Sequence, residues 1–67
     1  MNCTIIAHTK NKSRVETIAC FFLELRVRDN DIILSYDDEH CALEDAQDLK
    51  DSGISNEVKA GLKDFAE

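Results

Sequence analysis

Residues 14–28 read RVETIACFFLELRVR, and the fold turns on whether they form a helix or a strand. Ser13 and Glu16 make an S-x-x-E capping box, which argues for a helix starting at Val15. At the helical period of about 100° per residue, however, Arg26 falls on the Val15/Phe22 face and the charges scatter around the wheel. At period two they sort cleanly. Arg14, Glu16, Glu24, Arg26 and Arg28 are all even-numbered, while the odd positions read Val15, Thr17, Ala19, Phe21, Leu23, Leu25 and Val27. The alternation predicts one long strand.

The next segment, DNDIILSYD, reads as its partner. A two-residue loop at Asp29-Asn30 places Arg28 opposite Asp31, Val27 opposite Ile32, Leu25 opposite Leu34 and Leu23 opposite Tyr36. Apolar side chains then meet apolar ones and opposite charges pair. Upstream, the β-branched CTIIAHT of residues 3–9 predicts a first strand, followed by a turn at KNKS.

Downstream the pattern becomes helical. Asp37 or Asp38 is placed to cap a helix whose apolar stripe is Ala42, Ala46 and Leu49, with Leu43 beside it. Gly53 suits the left-handed residue that ends it. Ser55 then reads as the N-cap of a second helix with Val58, Leu62 and Phe65 at i, i+4, i+7. The expected fold is α+β: a three-stranded antiparallel meander with two helices on one face, in the order β-β-β-α-α. The alternative order, β-α-β-α-α with residues 14–28 helical, leaves a two-stranded parallel sheet, a poor structure in so short a chain.

With 67 residues, the chain is one small domain with little apolar bulk: Phe21, Phe22, Phe65 and Tyr36, and no Trp. A domain of this size buries only about 60% of its unfolded surface, so a roomy catalytic cleft beside a core is not expected. Ser35, Ser52 and Ser55 lack a nucleophile elbow, and there is no Gly-rich phosphate loop. Cys41 follows His40, but neighbours on a helix point about 100° apart and do not make a Cys–His pair. Cys3, His8, Cys20, His40 and Cys41 offer no paired ligand spacing for zinc. Asp37, Asp38 and Glu39 sit at a strand end, where Mg²⁺-binding carboxylates often sit, and Asp37, Asp38 and His40 would serve a metal-dependent enzyme, but no EF-hand pattern accompanies them. The expectation is a protein that is not an enzyme and carries no cofactor or metal.

No signal peptide and no apolar run of about 20 residues is present, so a cytoplasmic protein with reduced cysteines is expected. The net charge is −6 and unevenly spread: residues 1–28 carry +3 and residues 29–67 carry −9. Such a chain is repelled by nucleic acid and by anionic membranes. The acids concentrate in SYDDEHCALEDAQDLKD, residues 35–51, with seven carboxylates against Lys50. Glu44, Asp48 and Asp51 form a line at i, i+4, i+7 opposite the Ala42/Ala46/Leu49 stripe, Asp45 lies beside it, and Asp37, Asp38 and Glu39 extend it. Like charges at that spacing destabilise a helix by a few tenths of a kcal/mol.

These seven carboxylates are the candidate surface for a basic protein partner, a nuclease or nucleoprotein complex whose Lys and Arg otherwise hold phosphates. In size and charge the chain resembles the small inhibitors with which phages and mobile elements block host nucleases or RNA-guided complexes, some of which imitate nucleic acid. It also resembles antitoxins and immunity proteins. A second expectation is a homodimer, joined through the apolar even face of the long strand at Ile18, Cys20 and Phe22 or through an exposed sheet edge.

Overall fold

In the computed structural model, which describes residues 3–60, the order is β1 (Cys3–Ala7), α1 (Lys12–Ile18), β2 (Glu24–Arg28), β3 (Asp31–Tyr36), α2 (Glu39–Asp51) and β4 (Asn56–Ala60). The fold is α+β with one antiparallel sheet, but the sheet has four strands in the order β2-β3-β1-β4. The expected meander of three strands followed by two helices is therefore corrected in strand count, order and the place of one helix.

The first correction falls on residues 14–28, which divide. Asn11 caps α1, its side-chain oxygen accepting the Arg14 N–H at 3.1 Å, so the cap lies two residues ahead of Ser13. Val15 and Ala19 turn into the core, one helical turn apart. Only 24–28 form a strand. Length gives the physical reason. Fifteen extended residues would span about 50 Å, against a molecule of 26 × 24 × 16 Å. The period-two pattern is real over β2 and coincidental before it.

The hairpin after it forms in the expected register, Arg28 opposite Asp31, Val27 opposite Ile32 and Leu25 opposite Leu34. The expected pair of Leu23 with Tyr36 is corrected: Leu23 precedes β2, and its N–H donates to the Ser35 carbonyl. Asp29 takes the turn's positive φ of 54°, a conformation that Asp tolerates better than most residues.

β1 lies between β3 and β4 and pairs antiparallel with both. Its odd residues Cys3, Ile5 and Ala7 face the helices with Ile32, Leu34 and Tyr36 of β3, and all six are essentially buried. Together with Val15, Ala19, Ala42, Ala46, Leu49 and Ile54 they make the core.

α2 lies across β1, β3 and β4, and α1 packs against α2. Ala42, Ala46 and Leu49 are buried as the stripe predicted. The helix ends in a Schellman motif. Gly53 N–H donates to the Lys50 carbonyl and Ile54 N–H to the Leu49 carbonyl, with Gly53 at φ 86°. Arg14 closes the same end by donating to the Ser52 carbonyl, a cation at the negative pole of the helix.

The second correction concerns residues 56–60. They form β4, where a helix capped by Ser55 was expected. The Schellman turn sends the chain back along β1, whose second edge would otherwise leave buried backbone donors and acceptors unpaired. Leu62 and Phe65, the rest of the expected stripe, lie outside the described residues.

Candidate functional site

The acids of residues 37–51 sit on α2 and the turn before it, and the core stripe fixes where each points. With Ala42, Ala46 and Leu49 buried against the sheet, residues a half-turn away must face outward. Glu44, Asp48 and Asp51 do so, and all three are exposed. Asp37, Asp38 and Glu39 are exposed at the N-terminal end. Asp38 is the N-cap, its Oδ1 accepting the His40 N–H at 3.1 Å. His40 Nε2 lies 3.2 Å from Glu44 Oε2 along the helix. The Gln47 amide donates to Asp51 at 3.0 Å. Lys50 and the half-exposed Leu43 occupy the flank of this face.

Asp45 does not belong to it. Its side chain is 0% exposed. One oxygen accepts the Cys20 N–H at 3.3 Å, and the other accepts the Phe21 N–H at 3.0 Å and the Tyr36 O–H at 2.6 Å. Three donors converge on one carboxylate and tie the α1–β2 connection to the helix. Burial, with Asp45 beside it, pushes the Tyr36 phenol well above its ordinary range, so it stays a donor. As a member of the candidate acidic surface Asp45 is corrected, since it is buried and organises the core. The wheel held the signal, since Asp45 lies three residues after Ala42 and four before Leu49, on the buried side.

Ile18, Cys20 and Phe22 do not share a face. Ile18 ends α1 half-buried, Cys20 is exposed in the connection, and Phe22 packs partly against the core. The expected apolar strand face is absent because residues 18–22 are not a strand. The exposed apolar residues lie beside it in sequence: Phe21, Leu23 at 66% exposure and Val27 at 56%. Sequence reading missed these because their odd positions assigned them to the covered face.

Among the described residues no group of His, Cys, Asp and Glu is placed to hold a metal ion. Asp37, Asp38 and His40 are spread over the helix cap, with Asp38 and His40 engaged as above. Cys3 is buried, and burial raises its thiol pKa. Cys41 is raised by desolvation and by its contact with Asp38, Sγ to Oδ2 3.5 Å. Neither is an activated thiolate. Among the described residues no helix is long and apolar enough to cross a membrane.

A second charged cluster lies on the sheet face turned away from the helices. His8 Nδ1 is 3.2 Å from Asp31 Oδ1 and Nε2 is 3.3 Å from Glu57 Oε2, so the ring links the ends of β3 and β4 across β1. The Asp31 contact raises the His8 pKa, with Glu57 adding to it. Comparison with known protein families, characterised proteins and solved structures finds no match.

Proposed function

We propose that this chain is a small protein-binding module whose acidic α2 face engages a basic, nucleic-acid-handling protein and blocks or modulates it. One observation carries the reading: six exposed carboxylates, Asp37, Asp38, Glu39, Glu44, Asp48 and Asp51, follow one another along a rigid element. The 13-residue helix runs about 20 Å and carries four of them, Glu39, Glu44, Asp48 and Asp51, one carboxylate per about 5 Å, with Asp37 and Asp38 just before it. A single strand of duplex DNA carries one phosphate per about 3.4 Å of axis. A groove of Lys and Arg built for phosphates meets a comparable linear charge here, and Leu43 on the flank adds an apolar contact. Steering by this field speeds association at low salt and weakens as salt rises. An antitoxin or immunity protein would use the same face against a basic nuclease.

The test is affinity capture from lysate of the source cells at low and high salt, with the wild type and a Glu44→Lys, Asp48→Lys, Asp51→Lys variant. The reading expects a basic nucleic-acid-handling protein that the wild type holds at low salt and that the variant does not hold. Equal capture by the variant, with its circular dichroism unchanged, removes the acidic face as the site.

A further inference from the structure

We infer that β2 is a self-association edge that joins two copies of this chain into one continuous sheet. This proposal is independent of the acidic face, which lies on α2. Among the described residues β2 ends the sheet and pairs only with β3. In an antiparallel ladder alternate residues turn their N–H and C=O groups to each side, so half of those on β2 point to an open edge. On its helix side Leu25 and Val27 lie at the margin of the layer formed by α2, and Leu23 stands just before the strand, its N–H donating to the Ser35 carbonyl at 2.8 Å. Leu23 and Val27 are the most exposed large apolar residues described. On the opposite face, Glu24 and Arg26 are exposed, and neither makes an ion pair among the described residues.

The occupant follows from register and charge. A two-fold axis at Leu25 places Leu25 opposite its own copy once, and, twice by symmetry, Glu24 opposite Arg26 of the second copy and Leu23, just before the strand, beside its Val27. The apolar row meets itself on one face and two ion pairs form on the other. An axis at Glu24 or at Arg26 instead sets a like-charge pair on the two-fold. A shift of one residue puts inner side chains opposite outer ones, which the pleat forbids. Only the Leu25 axis satisfies both faces of this five-residue strand. The other sheet edge, β4, lacks this invitation. Its Glu57 already meets His8 and Lys59, and the Asn56 amide donates to the Ala46 and Ile54 carbonyls.

Sedimentation equilibrium from micromolar to millimolar concentration tests this with wild type, Glu24→Arg, Arg26→Glu and the double swap. These positions are exposed, so each variant should fold, which circular dichroism checks. The proposal expects a wild-type dimer, weakened at least tenfold by either single reversal, with the swap restoring the wild-type constant within threefold. Mixed-isotope nuclear Overhauser contacts between Leu23 and Val27 methyls of different copies should appear in the wild type. A wild type that stays monomeric at millimolar concentration overturns the proposal. So does a dimer indifferent to both reversals.

Discussion

Replacing Asp45 with alanine removes the acceptor for Cys20 N–H, Phe21 N–H and Tyr36 O–H in one step. Hydrogen bonds to a charged group contribute about 1.5–3 kcal/mol each, and a buried donor left unpaired costs about 1–3. The two amides belong to exposed residues, so water can take over part of their loss, and each is worth about 1 kcal/mol. The Tyr36 hydroxyl lies in the core and loses its bond outright, about 1.5 kcal/mol. Relief of the carboxylate's own desolvation offsets some of the total. The net expectation for Asp45→Ala is a loss of about 3 kcal/mol, against a stability of about 3–10 kcal/mol for a domain of this size. Urea unfolding followed by circular dichroism measures it. Tyr36→Phe should lose about 1.5 kcal/mol, and the double variant should lose less than the two singles together, by about 1 kcal/mol of coupling. A loss below about 0.5 kcal/mol for Asp45→Ala, or strict additivity with Tyr36→Phe, refutes the reasoning that this carboxylate organises the core.

Three further outcomes are expected. Gly53→Ala forces an alanine to φ 86° with no clash around its Cβ, so urea unfolding should register pure backbone strain of about 1–2 kcal/mol. His8 has its pKa raised by Asp31 and Glu57, so its stabilisation is fully present below the ordinary histidine value near 6.5 and fades as pH rises through the folded value. With its side chain 39% exposed, solvent screening holds the effect of His8→Gln to about 0.5 kcal/mol at pH 6 and near zero at pH 9, measured as the pH dependence of the urea midpoint. A thiol-specific reagent at neutral pH should label exposed Cys20 first, Cys41 more slowly and buried Cys3 only on unfolding, as peptide mapping over time will reveal.

The parts of the fold legible in sequence are those where two independent signals agree. In the 24–36 hairpin, alternation and cross-strand charge pairing pointed to one register. In α2, the Asp38 cap, the i, i+4, i+7 stripe and Gly53 agreed on both ends. Where one signal stood alone it misled. The alternation of residues 14–22 contradicted a helix signal and required an implausibly long strand, and the stripe from Val58 outweighed the need of β1 for a second neighbour. That need is non-local, and a single periodicity cannot express it. The acidic face was legible except at Asp45, where charge composition was read ahead of position on the wheel. The exposed Leu23/Val27 row was hidden because it emerges only once β2 is known to be an edge.

The role proposed for the acids of α2 is to occupy a partner's nucleic-acid site. Its most direct measurement is competition: fluorescence anisotropy of a labelled oligonucleotide bound to the captured basic partner, titrated with this protein. The wild type should displace the oligonucleotide, and the Glu44→Lys, Asp48→Lys, Asp51→Lys variant, still folded, should not. Displacement by the variant as effective as by the wild type, or a stable ternary complex of partner, oligonucleotide and wild type, contradicts it.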